Sequence, residues 1–139
     1  MDDVTLTEFL GAALGELDGF EWHPAGEPFT ADAVAVVYGR IPPDPDRAVG
    51  LRVYATTDDD VEHNHSRRVQ VRLRGARGAP GGADALALPV YLALTNLSRV
   101  GGISGVTRES MAPLGADGND RDQRSDNYTI TLDNTEASS

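Results

Sequence analysis

The sequence predicts an α+β domain in which two helices pack on one face of a mostly antiparallel sheet of five to six strands. Two observations indicate this class. Apolar residues recur at helical spacing in two separate segments, and several other segments alternate apolar and polar residues as half-buried strands do. The predicted order is α-β-β-β-α-β-β-β. Residues 1–133 would form one domain, and residues 134–139 a flexible tail.

The first helix is predicted over residues 5–17, because its apolar residues follow a capping-box pattern made by Thr5 and Glu8. Asp18-Gly19 then provides a stop signal, since glycine adopts the left-handed conformation without steric cost. The apolar positions are Leu6, Phe9, Leu10, Ala13, Leu14 and Leu17.

The first three strands are predicted in the next part of the chain. The β-branched run 33–38 is typical of a strand buried on both faces, and segments 49–56 and 68–74 alternate as half-buried strands do. Three prolines in segment 41–46 predict a loop, because proline lacks the backbone donor that a ladder needs. The polar segment 57–66 predicts a long projecting connection.

The second helix is predicted over residues 84–97, with Asp84 as a candidate cap. Pro89 leaves two starts open. A start near Asp84 places the proline beyond the first turn, where it bends the helix, and a start at Leu88 places it at the favoured first position.

The C-terminal third predicts two or three strands, around residues 100–103, 106–111 and 128–132. A loop over residues 115–126 would precede the last of them. This completes the α+β pattern.

Charge and composition exclude several classes of function. The chain carries 22 acidic and 12 basic residues, and every basic residue is arginine. The formal net charge of −10 disfavours tight sequence-independent DNA binding. Residues 1–66 hold 14 acids against 3 arginines, whereas residues 67–77 hold five arginines and no acid. Cysteine is absent, and no segment is apolar enough to predict a membrane span.

Three polar groups invite a metal-binding interpretation, and none has the required pattern. His63 and His65 lack further ligands of the usual kinds, and the acids of segment 58–62 lack the glycine and spacing of a calcium loop. In segment 117–122 glycine follows the first acid at once and arginine takes the fifth position. The sequence also lacks a nucleophile elbow and a phosphate-binding loop, so we predict no metal, no cofactor and no enzyme.

The arginine cluster has two interpretations. Arg68, Arg72 and Arg74 share the polar side of a predicted strand with Gln70, so they would form one basic stripe on the exposed side of the sheet. A solvated surface paired with local acids is one interpretation. The other is a subunit interface, in which the stripe meets the acidic surface of a neighbouring copy and the contacts close into a ring.

The C-terminal half contains motifs in a recognisable order. A basic strand ending in Arg-Gly over residues 69–75 precedes the second helix. The series Gly-x-Asp-x-x-x-Arg over residues 115–121, followed by Asn127 and Tyr128, leads into the last strand. This arrangement resembles the tail-terminator proteins of long-tailed phages. The motif residues carried over are Arg72, Arg74, Gly75, Gly115, Asp117, Arg121, Asn127 and Tyr128.

The resemblance implies a structural virion protein: a hexameric ring that caps the finished tail tube, stops its polymerisation and joins the tail to the head connector. Its partners would be further copies of the chain, the tail tube protein and the connector, and DNA would pass through its lumen without specific binding. Pro89 and loop 41–46 depart from the family pattern. Two alternatives stay open: another head-tail connector protein, such as a stopper or adaptor, and a small ligand-binding or enzymatic α+β domain.

Overall fold

The computed structural model describes residues 1–59, 61 and 64–133. It contains an α+β fold with one six-stranded sheet in the order β1-β2-β3-β4-β6-β5, which confirms the predicted class. Four strands, not three, precede the second helix. The elements are α1 (Asp3–Gly15), β1 (Phe20–Trp22), β2 (Val34–Tyr38), β3 (Ala48–Asp59), β4 (Asn64–Arg77), α2 (Gly82–Thr95), β5 (Ile103–Ala116) and β6 (Arg121–Leu132).

The sheet is mixed, so the prediction of a mostly antiparallel sheet holds only for its second half. β2 pairs in parallel with both β1 and β3, whereas β3, β4, β6 and β5 pair antiparallel. Loops over residues 23–33 and 39–47 return the chain to the same end of the sheet without a crossover helix. β1 is absent from the predicted strands, because three residues are too few to show an alternation.

The connection between β3 and β4 is shorter than predicted. Segments 57–59 and 64–66 pair with each other, and the cross-strand pair Asp58 and His65 is joined by a contact of 3.0 Å between Oδ1 and Nδ1. Polar cross-strand pairs therefore extend the hairpin where polarity alone predicts a projecting loop. Half of the residues in the histidine and acidic candidates, namely Asp60, Glu62 and His63, lie outside the described residues, as does the predicted tail 134–139.

The last two strands are also longer than predicted. β5 is one strand, with shifts of register after Ile103, Arg108 and Pro113. β6 begins at Arg121, so the predicted loop 115–126 shrinks to the turn 117–120. Residues 121–126 pair with β4 on one side and with β5 on the other, so their backbone N–H and C=O groups are hydrogen-bonded. The polar side chains of this segment do not predict a strand by themselves.

The core lies between the sheet and the two helices. Leu6, Leu10 and Leu14 of α1 are fully buried, and they belong to one cluster with apolar residues of α2 and of β2, β3, β4 and β6. The cap of α1 is Asp2, whose Oδ1 accepts a hydrogen bond of 2.7 Å from the Thr5 amide, so the predicted capping box is wrong by one turn.

The second helix begins two residues before the earlier of its predicted starts. Its cap is Gly81, with φ of 72°, and not Asp84. Pro89 lies inside the helix, so a start at Leu88 is wrong. Neither described helix has the length and apolar character needed to cross a membrane.

Candidate subunit interface

The sheet surface opposite the helices carries the predicted basic residues of β4. Val69, Val71 and Leu73 are buried in the core beneath the helices. The residues between them point away from the helices, as strand geometry requires. Arg68 and Arg72 are exposed there, as the sequence predicts.

Two further arginines join them, and together the four form what we call the arginine face: Arg40, Arg52, Arg68 and Arg72. All four are exposed. Pairing places Arg52 opposite Gln70 and places Gln70 opposite Asn127, so these side chains occupy one row across three strands. The sequence prediction does not single out Arg40 or Arg52. The polar position of Arg52 in its alternating segment is the available signal, and its use requires the β3–β4 register.

The arginine face contains two shallow hollows. One, of about 200 Å³, is lined by Arg40 and Arg72. The other, of about 260 Å³, is lined by Arg68, Asn127 and Glu109, the last being an acid of this surface. Across the described ranges, no arginine of the face lies within ion-pair distance of a carboxylate.

Arg74 does not belong to the exposed stripe, so that part of the prediction is wrong. It lies on the same side of β4 as Arg72, but only 6% of it is exposed because the proline-rich loop covers it. Its Nε donates to the Asp46 carbonyl at 2.7 Å, and its Nη2 donates to the carbonyls of Pro42 at 2.8 Å and Pro45 at 2.7 Å. Arg74 therefore holds the loop against the sheet.

Arg121 and Asp117 form a second attachment for the same loop. Arg121 Nε donates to Asp117 Oδ2 at 2.8 Å, and its Nη1 donates to the Pro43 carbonyl at 2.7 Å. The Asp117 carboxylate also accepts from the amides of Asn119 and Arg121. Burial alone would raise the pKa of Asp117, but these backbone and guanidinium donors lower it overall. Gly115, with φ of 78°, lies in β5 two residues before Asp117.

Gly75 lies where β4 meets the start of α2. A Cβ added there would lie 2.6 Å from the backbone carbonyl carbon of Gly82. Only glycine allows the two backbones to approach this closely. The Arg-Gly step at the end of the basic strand thus has a packing explanation.

Tyr128 and Asp126 are buried under α2 and do not reach the arginine face. Asp126 is fully buried, and its Oδ1 accepts from Arg124 Nε at 2.7 Å. Burial raises the pKa of Tyr128 to about 12, and the nearby Asp126 charge adds to the effect. Within the described part of the chain the Tyr128 hydroxyl has no hydrogen-bond partner. Of the predicted site residues, Arg68, Arg72 and Asn127 are therefore brought together, and the others serve separate local contacts.

The N-terminal part of the chain, which includes α1 on the helix side of the sheet, carries exposed acidic residues. Residues 1–39 contain eight acids and no lysine or arginine. Glu8 and Glu16 lie two helical turns apart on the exposed side of α1, with Ala12 between them, and Asp18 follows the helix. We call Glu8, Glu16 and Asp18 the acidic ridge. Among the residues that the structure describes, no cluster of three or more metal-ligating side chains occurs.

The profile of the bacteriophage tail terminator protein family matches residues 13–134 of this sequence. The chain belongs to this family. Membership confirms the resemblance and makes the chain a structural component of phage-type virions. A chain from a solved structure described as the virion of a native gene transfer agent particle is similar in fold, with a TM-score of 0.57 and 15% identity. The similarity covers 94% of this tail terminator family member and 92% of that chain. A search of curated proteins finds no match.

Proposed function

We propose that this chain assembles as a ring of six copies on the head-proximal end of a tail tube, where it stops tube polymerisation and offers the surface that joins the head connector. The observation that carries the proposal is the family match over residues 13–134, which spans the end of α1 and the whole sheet. The activity is one of binding. DNA passes through the ring without specific contacts, in keeping with the net charge of −10.

The geometry supports a role that requires several contact surfaces on a rigid domain. The proline-rich loop is held to the sheet by Arg74 and Arg121, which join segments distant in sequence. The helices cover one side of the sheet and leave the arginine face available on the other. A subunit with two such different sides can contact unlike neighbours without changing shape.

The proposal is tested by mixing the purified chain with tail tube subunits during polymerisation. We expect shorter tubes of uniform length, each bearing extra density at one end in electron micrographs. Preformed tubes given the chain should stop growing when more tube subunits are added. Unchanged tube length together with bare tube ends would overturn the proposal.

A stopper or adaptor role makes a different prediction in the same experiment. Such a protein would bind the head connector and leave tube growth unaffected. A ligand-binding role would depend on a site such as the open groove of about 690 Å³ lined by Phe29, Pro42, Pro45 and Arg77. A chain that stays monomeric beside growing tubes and binds a small molecule in this groove would favour that alternative.

A further inference from the structure

We infer that neighbouring copies in the ring contact each other head to tail, with the arginine face of one copy against the acidic ridge of the next. The inference rests on the proposed function for the existence of a ring. It assigns the surfaces that form the contact and the direction in which copies follow one another.

The arginine face gathers four arginines without a carboxylate partner on one surface; Arg47, Arg74 and Arg99 also lack such a partner among the described residues. Five arginines elsewhere in the described part of the chain lie in ion pairs with carboxylates, namely Arg67, Arg77, Arg108, Arg121 and Arg124. The four arginines of the face have no such partner among the described residues, although the chain carries 22 acidic residues. Like charges gathered on one surface repel one another, and an acidic surface that docks there relieves the repulsion. Arginine is also well suited to interfaces, because its planar group binds carboxylates through two parallel hydrogen bonds.

The acidic ridge is the matching surface within the same chain. Glu8 lies on α1, and Glu16 and Asp18 follow directly at its C-terminal end. The exposed side of α1 faces away from the sheet and therefore from the arginine face. A two-fold contact would bring like charges together, either arginine face to arginine face or ridge to ridge, and like-charge contacts of this kind are strongly disfavoured. A head-to-tail contact pairs opposite charges, and when its rotation closes it produces a ring.

Both surfaces have a neutral residue near their centre. Gln70 lies opposite Arg52 on the arginine face, between Arg68 and Arg72 along β4. Ala12 lies between Glu8 and Glu16 on the ridge, and both neutral residues are exposed. These two positions would face each other across the contact, and they can be replaced without altering any charge.

The contact can be tested by cysteine cross-linking, because the natural chain contains no cysteine. Ala12→Cys and Gln70→Cys are made separately, mixed, and allowed to assemble on tube ends before a short bismaleimide cross-linker is added. We expect at least about fivefold more heterodimer, joined through positions 12 and 70, than either homodimer, as complementary charges dictate. The yield should fall at 1 M salt, where charges are screened beyond about 3 Å. Thr30→Cys, on an exposed loop outside both surfaces, replaces Ala12→Cys in the control mixture and should give little heterodimer.

Charge reversal provides the second arm. The double variants Arg52→Glu/Arg72→Glu and Glu8→Arg/Glu16→Arg should each lose the extra density at tube ends. An equal mixture of the two, or the combined quadruple variant, should regain at least about half of that density, because reversing the charge of both partners restores complementarity. Homodimers of Gln70→Cys as the main product, or no rescue by the combined variant, would overturn the contact.

The two arms separate this inference from the proposed function. Wild-type chain that caps tubes, combined with failure of the cross-link, overturns the contact and leaves termination intact. Wild-type chain that never reaches tube ends counts against termination itself. The Arg52→Glu/Arg72→Glu variant also tests a nucleic-acid role. If this variant still caps tubes and still cross-links but no longer binds a DNA duplex, the arginine face binds nucleic acid and the inference is overturned.

Discussion

Arg67 Nε lies 2.9 Å from Asp3 Oδ1, and this pair ties the first turn of α1 to the edge of the β3–β4 hairpin. Arg67 is only 4% exposed. Its Nη1 also donates to Asp58 Oδ1 at 2.9 Å and to the Ser66 carbonyl at 3.0 Å. One side chain thus satisfies groups from the helix and from both strands of the hairpin.

Removal of this side chain should loosen all three elements. We expect Arg67→Ala to lower the free energy of unfolding by about 2 kcal/mol, less than the roughly 3–5 kcal/mol typical of fully buried pairs, since both carboxylates are nearly half exposed. Urea denaturation measures the change. The matched control is Arg68→Ala, an exposed neighbour, for which a change within about 0.5 kcal/mol is expected. Equal effects of the two variants would contradict the role given to Arg67.

Arg74→Lys should weaken the attachment of the proline-rich loop. An ammonium group cannot reproduce the fork that reaches the Asp46, Pro42 and Pro45 carbonyls, so we expect a loss of about 1–2 kcal/mol in thermal or urea unfolding. Amide hydrogen exchange over residues 41–47 should also accelerate. Arg72→Lys keeps an exposed charge on the same strand and serves as the control, with both measurements expected to match the wild type. Unchanged exchange in Arg74→Lys would show that the loop is held by other contacts.

Gly75→Ala should disturb the junction between β4 and α2. The added methyl group meets the Gly82 backbone at 2.6 Å, so the helix must shift, at a cost of about 2–3 kcal/mol in unfolding free energy. Gly118→Ala is the control, because nothing lies within 4 Å of its added Cβ. That variant should remain within about 0.5 kcal/mol of the wild type. A tolerated Gly75→Ala would remove the packing explanation of the Arg-Gly step.

Stability should depend on the ionisation of Asp58. Hydrogen bonds from His65 and then Arg67 lower the pKa of Asp58 from its ordinary value of 3.8. Because the folded-state pKa is depressed, the contribution is complete above the ordinary value and is lost as pH falls through the lowered one. We expect the urea midpoint of Asp58→Asn to fall less steeply than that of the wild type when pH is lowered from about 5 to about 2.5. Parallel curves for the two proteins would contradict this.

The parts of the fold that depend on local pattern are predictable from sequence. The apolar spacing of Leu6, Leu10 and Leu14 identifies α1, and alternation identifies the centres of β3 and β4. Strand ends and strand direction are not predictable in this way, because they depend on partners. Asp58 is in a strand because His65 lies opposite it, and no local signal carries that pairing.

In the candidate site, too, local pattern predicts some features, while others depend on partners distant in sequence. Alternation correctly places Arg74 on the side of β4 away from the helices, yet it cannot show that a loop 28 residues earlier covers it. Arg52 joins Arg72 only through the register of two strands. The separation of acidic and basic regions, in contrast, is evident from charge counts along the chain.

The irregular pairing of β5 has a consequence for free copies of the chain. This strand forms the outer border of the sheet, and its register shifts at three places, one of them at Pro113, which has no amide hydrogen to donate. A border broken in this way is a poor template for the backbone of another molecule. The β5 edge therefore disfavours the joining of free copies into fibres through this strand.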